Sequence, residues 1–295
     1  MILQDAITLF LTQQKPSSRE SYKYALRDMS EHVGTRKDIS EISVMHLAEY
    51  SMALEKRGYA SAATFNKYVK VSKVFYNWLV RQQLLKESPA RMLRQRKQQS
   101  NVSREKAMPD TELARILDYA QWRPKDHALL LFLADTGCRA GGAAGLKWTD
   151  IDWLRNEASV TEKGDKTRRV AFGAMCATAL RKWDSVRPAA AGTWVFSTTH
   201  KPILASSISQ LVRRACVAAG VTARGSHSLR HRKGYQLADL RIAPTIAAQA
   251  LGHSDAKITL EHYYPRDWDR AKRALEELAI KAPEGKIVEL NQKSG

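Results

Sequence analysis

Residues 226–264 read SHSLRHRKGYQLADLRIAPTIAAQALGHSDAKITLEHYY, and this stretch sets the reading of the whole chain. His227 and Arg230 stand three apart, so on one helical turn both side chains lean toward the same face. Leu251-Gly252 is a place where a helix stops and the chain bends back, which puts His253 just beyond a helix end. Tyr263 and Tyr264 fall on the next helix. Cations, imidazoles and a phenol returning to one place within a helical stretch point to chemistry on a phosphate.

The rest of the chain agrees in charge. Its 295 residues suit two domains, and Lys plus Arg number 48 against 30 Asp plus Glu, a formal net charge of +18. Residues 1–106 carry 19 basic and 10 acidic side chains, and the remainder carries 29 and 20. Both parts are therefore basic, as expected if both touch one polyanion, most simply nucleic acid. Cys138, Cys176 and Cys216 are odd in number and widely spaced, which fits neither a disulfide framework nor a zinc site and suits a reducing, cytoplasmic setting. The longest apolar run, residues 128–134, is far too short to cross a bilayer. The opening MILQDAITLFL has a carboxylate and no basic lead-in, and reads as an amphipathic helix, not a secretion signal.

The first hundred residues predict helices only. Ser17 with Glu20 forms a candidate capping box, Ser43 and Ser61 are candidate caps for the third and fourth helices, and Gly58 ends the third. In the fourth, Phe65, Tyr68, Val69, Phe75, Tyr76 and Leu79 make an apolar stripe, with Val74 and Trp78 outside it. Lys67, Lys70 and Lys73 lie off the stripe or at its flank and are candidate phosphate contacts. From Pro89 to Lys106 the chain turns polar and basic, with Arg94, Arg96 and Lys97 as candidate DNA contacts, and residues 99–106 read as a linker.

Beyond it, Asp110 or Thr111 is placed to cap a helix, an apolar helix follows and stops at Gly137, and the glycine-rich CRAGGAAG is a poor helix former. EASVTE and TRRVAFG, joined by Lys163-Gly164-Asp165-Lys166, predict a hairpin; a further strand is expected at residues 194–197, and Trp148, Trp153 and Trp194 are expected in the core. Helices are expected near residues 174–186, 206–219 and 267–280, followed by a tail, 282–295. The fold class is mainly α: a helical N-terminal domain (1–98), then a mixed α/β domain (107–281) with a small antiparallel sheet.

Five motifs stand in order: Thr136-Gly137-Cys138-Arg139, Lys163-Gly164-Asp165-Lys166, His227-Ser228-Leu229-Arg230-His231, Leu251-Gly252-His253, and Tyr263. This series resembles the tyrosine recombinases, the phage integrase and Xer-like family. The resemblance covers the second domain, and the first fits the family's core-DNA-binding domain by position and helical character. It implies an enzyme that breaks and rejoins duplex DNA through a 3′-phosphotyrosyl link, with no metal or cofactor, and acts as a homotetramer on DNA. It assigns Arg139 and Arg230 to the scissile phosphate, Lys163 to the hairpin lysine, His227 and His253 to the two histidines, and Tyr263 to the nucleophile. At 295 residues the chain is too short to hold a further arm-site domain as well, so the simpler two-domain type is expected.

The residue types suit that reaction on physical grounds. Attack on a phosphodiester concentrates negative charge on non-bridging oxygens, which guanidiniums meet bidentately at any working pH. A phenol with a pKa of about 10 needs a base at neutral pH, and an imidazole such as His227 is suited to it. A departing 5′-oxygen needs a proton, for which Lys163 and Lys166 both qualify on chemistry; the resemblance favours Lys163. Arg232, Lys233 and His231 are expected to face the DNA backbone or solvent. Two departures from the family pattern stand out: Gly142 occupies the place of a carboxylate three residues after Arg139, and Tyr264 competes with Tyr263. Alternative functions with the same residues are a silent DNA-binding relative and a type IB topoisomerase-like relaxing enzyme.

Overall fold

A computed structural model of the chain describes residues 1–58, 61–97, 104–162 and 164–264, with residues 272 and 275–277 beyond them. The chain divides into two compact units, Met1–Gln99 and Ser100–Gly295.

The first unit is helical: α1 (Leu3–Thr12), α2 (Pro16–Val33), α3 (Val44–Lys56) and α4 (Ala62–Arg81), with 3-10 turns at Ile39–Glu41 and Pro89–Met92. The ends follow local chemistry. Ser43 opens α3 in a capping box with His46, whose Nδ1 accepts from the Ser43 N–H at 3.1 Å. Ser61 opens α4 by accepting from the Thr64 N–H at 3.3 Å. α2 differs from expectation: Lys15 is its N-cap and Pro16 its first residue, because a proline fits where no N–H is needed. Phe10 is the centre of the core, edge-on to Phe75 at 5.5 Å and to Trp78 at 5.4 Å between ring centroids. Trp78, off the main stripe, is buried too, and its indole N–H donates to Gln13 at 2.9 Å. α4 is thus covered on more than one side.

The second unit is built on α6 (Pro124–Thr136), whose residues Ala128–Ala134 are all buried. Around it pack α5 (Asp110–Ala120), α8 (Ala174–Val186) and α10 (His227–Asp239); α9 (Ala205–Ala218) lies against α5 and the short α7 (Ala140–Ala144). Phe132 meets Phe172 and Phe196 at centroid distances of 6.0 and 5.5 Å. The sheet is antiparallel in the order β1 (Ile151–Asp152), β2 (Glu157–Glu162), β3 (Lys166–Ala171), with Ala158 opposite Val170 and Glu162 opposite Lys166. Two small helices, α11 (Pro244–Leu251) and α12 (Ala256–Tyr263), close the described part.

Several expectations are corrected. CRAGGAAG does form a helix, α7, since burial of Gly142, Ala143 and Ala144 outweighs the poor propensity of glycine. Residues 194–197 are no strand: a single bridge joins Trp194 to Lys147, while Val195 and Phe196 turn into the core. The third strand is β1 instead. Trp148, Trp153 and Trp194 are half-buried, their outer faces met by Arg187, Arg181 and Lys147. Pro109 is the N-cap of α5, which leaves the Asp110 carboxylate to pair with Arg232 at 2.6 Å. Of the basic linker, Arg104–Lys106 form a 3-10 turn with Arg104 paired to Asp239; residues 99–103, the last expected helix and the tail 282–295 lie outside the described residues, apart from residues 272 and 275–277. Among the described residues no helix is long and apolar enough to cross a membrane.

Gly137 sets the exit of α6. Its φ of 58° is left-handed, and a Cβ there would come within 3.0 Å of Lys233 and 3.3 Å of Leu251. Gly137→Ala is expected to lower stability by about 1–3 kcal/mol in urea unfolding, with the slope unchanged.

Candidate active site

The end of α6, the end of β2, and helices α10, α11 and α12 converge on one cluster of charge. Glu162 closes β2 with its side chain only 4% exposed. The Arg139 backbone N–H donates to Glu162 Oε1 at 2.7 Å, and the Arg139 guanidinium binds the other carboxylate oxygen. Arg168 Nη2 stands 3.3 Å from the same Oε1, and Arg230 Nη1 stands 3.9 Å from it. Burial alone would raise the Glu162 pKa. The Arg139 N–H and the charges of Arg168, Arg230 and Arg139 outweigh it and hold the carboxyl below its ordinary range.

Arg230, on α10, is the more enclosed of the two phosphate candidates at 2% exposed. Its Nη1 donates to the Gly137 carbonyl at 2.9 Å, whereas its buried Nη2 has no acceptor among the described residues. Burial, with the charge of Arg139 next, draws its pKa down to about 10, still charged at neutral pH. Arg139 caps α7 and is more open, its side chain 35% exposed. The end of α11 adds acceptors: Arg139 Nη1 donates to the Gly252 carbonyl at 3.2 Å and Arg168 Nη1 to the Ala250 carbonyl at 2.6 Å, at the negative pole of the helix. Gly142 lies beside the carboxylate. A Cβ there would stand 3.2 Å from Glu162 Cγ and 3.5 Å from Oε1, so the Glu162 side chain fills the space a residue at 142 would need.

The histidines and tyrosines come from α10, α12 and the residues flanking α12. Tyr263 is 3% exposed, and its hydroxyl lies 3.1 Å from His231 Nδ1. Its ring rests on Gly234, where any Cβ would overlap it, and meets Tyr235 edge-on at 5.1 Å. His231 in turn is edge-on to His227 at 4.9 Å. His253 Nδ1 is 2.6 Å from the Thr259 hydroxyl, which fixes the ring and leaves Nε2 for other use. Burial raises the Tyr263 pKa, and the guanidiniums of Arg230 and Arg139 work against that rise. Tyr264 behaves differently: its hydroxyl donates to the Ile242 carbonyl, and burial alone raises its pKa.

Arg139, Arg230, His227, His253 and Tyr263 are thus brought together, while Lys163 lies outside the described residues. His231 is corrected: it faces Tyr263 rather than solvent, because α10 turns it over the phenol. Arg232 is corrected too, being paired with Asp110 and Gln236. In the first unit Lys67, Lys70, Arg94 and Lys97 are exposed and Lys73 is half-buried. Arg96 is engaged instead, lying 4.3 Å over the Phe65 ring with its backbone held on both sides by Asn66.

Comparison with known proteins follows this geometry. The phage integrase family model matches residues 106–269, more than half of the chain. The chain belongs to the phage integrase family. It is a site-specific tyrosine recombinase. The model for the phage integrase N-terminal SAM-like domain matches residues 3–86 of this family member. Tyrosine recombinase XerC of Corynebacterium efficiens is 28% identical over 247 residues, covering 81% of this chain and 77% of that one. The XerC of Alcanivorax borkumensis is 25% identical over 229 residues, 74% of each chain. In structure, the Tn1549 transposon integrase, solved in complex with a circular intermediate DNA, matches with a TM-score of 0.76 at 15% identity over 95% of this chain and 100% of that one. That likeness is one of fold.

In this recombinase the sequence reading missed Glu162, Arg168, Thr259 and Gly234. Gly234 carried a signal, a glycine in mid-helix beside Tyr235, and the carboxylate missing at Gly142 pointed to an acid supplied from elsewhere. Burial is the leading cause that drives His231 and His253 each down to about 4. Unfolded imidazoles bind protons near about 6.5, so the unfolded chain takes up more protons than the folded one between those values. Stability is therefore full above about pH 6.5 and falls as the pH drops toward 4. The melting temperature should fall over that interval, and His231→Gln with His253→Gln should flatten the slope.

Proposed function

We propose that Arg139 and Arg230 hold the scissile phosphate of duplex DNA and that Tyr263 is the nucleophile. The supporting observation is that the Tyr263 hydroxyl lies 3.1 Å from His231 Nδ1 on α10, the helix that carries Arg230, whereas the Tyr264 hydroxyl is bonded away to the Ile242 carbonyl. The phenolate oxygen bonds to phosphorus, the bond from phosphorus to the 5′-oxygen breaks, and a 3′-phosphotyrosyl link and a 5′-hydroxyl result. A partner strand's 5′-hydroxyl reverses the step, so the bond energy is kept in the protein–DNA ester.

The phenol must lose a proton, and a pKa raised by burial makes a nearby base necessary. We assign the base to the paired imidazoles: His231 is in reach of the hydroxyl, and His227, the more open ring, passes the proton on. His253, anchored by Thr259, donates to a phosphate oxygen through its other nitrogen. Lys163, which follows Glu162 in the sequence, is assigned to protonate the leaving oxygen. Lys67, Lys70, Arg94 and Lys97 on the first unit are assigned to the DNA backbone, with Lys73 at their flank. The working form on DNA is assigned as a homotetramer in the cytoplasm, the compartment of its substrate.

A nicked duplex, selected from a random-sequence pool for binding to the full chain, tests the site. Covalent adduct should vanish in Tyr263→Phe and persist in Tyr264→Phe; the reverse would transfer the role to Tyr264. Arg139→Ala or Arg230→Ala should slow adduct formation by about 100-fold or more. For assembly, removal of residues 282–295 should weaken complexes holding two DNA sites more than single-site binding on a native gel. Equal two-site assembly would remove the tail from that role.

A further inference from the structure

Among the described residues Glu162 is the one carboxylate paired with both Arg139 and Arg230, and it takes no part in the proton or phosphoryl transfers. We propose that Glu162 is the positioning carboxylate of the arginine pair, reaching from β2 into the space that Gly142 on α7 leaves open. The inference rests on the reading of Arg139 and Arg230 as the phosphate holders.

Three observations carry it. The contacts fix orientation as well as charge: Glu162 accepts both the backbone N–H and the guanidinium of Arg139, so the main chain and the side chain of one residue are held by one group. Space is exclusive: a Cβ at 142 would stand 3.2 Å from Glu162 Cγ, so the glycine and the glutamate are two halves of one arrangement. Anchoring is built in: Arg168, its side chain 13% exposed, binds the same carboxylate and ties it to the α11 carbonyl of Ala250. Arg230 is held by its Nη1 to the Gly137 carbonyl, while its Nη2 keeps no acceptor among the described residues. A carboxylate that grips the guanidiniums from behind leaves donors of this kind for a phosphate in front.

The test moves the carboxylate. Glu162→Gln keeps the size of the side chain and an acceptor for the Arg139 N–H but removes the charge. On the selected nicked duplex it should bind within a few-fold of the unaltered protein while forming adduct about 100-fold more slowly. Gly142→Glu alone should also lose activity, since the new side chain meets Glu162. Gly142→Glu combined with Glu162→Gly should recover at least a tenth of the unaltered rate, a rescue that a merely structural role does not provide. Glu162→Asp, which keeps the charge, should fall between the glutamine variant and the unaltered protein. Full adduct formation in Glu162→Gln overturns the proposal. So does parallel loss of DNA binding, melting temperature and cleavage, or a double variant no faster than the singles. Arg230→Ala separates the two ideas: if it still cleaves, the phosphate reading itself falls; if it is inactive while Glu162→Gln is fully active, only the role of Glu162 falls.

Discussion

The catalytic unit depends on holding guanidiniums close together in a nearly closed space. Two unit charges about 4 Å apart repel by about 4 kcal/mol at an effective dielectric constant of about 20. Arg230 is buried, and its burial together with the charge of Arg139 lowers its pKa. One ionised carboxylate, Glu162, offsets the repulsion for Arg139, Arg168 and Arg230 together. The helix ends supply the remainder, through the carbonyls of Gly137, Ala250 and Gly252. A site made for an anion is assembled beforehand from the protein's own anion and from the partial charges of its backbone.

The tyrosine half of the site is governed by packing more than by charge. Gly234 offers a flat surface on α10, and the Tyr263 ring occupies it, with Tyr235 and His231 at its edges. The phenol is therefore enclosed, neutral and hydrogen-bonded, while Tyr264, just past the end of α12, donates to the Ile242 carbonyl. Two adjacent tyrosines of the same chemistry are separated where α12 ends: Tyr263 is its last residue, and Tyr264 leaves it in extended backbone with φ at −112°.

Much of this was legible in the sequence, and the parts that were not share a cause. Caps at Ser43 and Ser61, the stop at Gly137, the hairpin flanking Gly164 and the span Ala174–Val186 all follow from local rules, so short windows suffice. The brief strand β1 and the lone bridge at Trp194 depend on pairing between distant segments, which propensity cannot rank. In the site, Arg139, Arg230, His253 and Tyr263 were visible as an ordered series of motifs. Glu162 was hidden because its significance lies in a glycine twenty residues earlier whose missing side chain it replaces. His231 was read as outward-facing since helical spacing alone does not say which neighbour will cover a ring.

Gly252 does two things at once. In the left-handed conformation, with φ at 67°, it ends α11 and turns the chain toward His253 and the helix that carries Tyr263. Its carbonyl is also a hand-hold for Arg139. The guanidinium of Arg139 and the helix that ends in Tyr263 thus share a joint. A shift of α12 that passes back through this turn reaches the arginine side of the site without crossing the rest of the fold. A second link runs through α10, which carries Arg230 and holds the Tyr263 ring against Gly234.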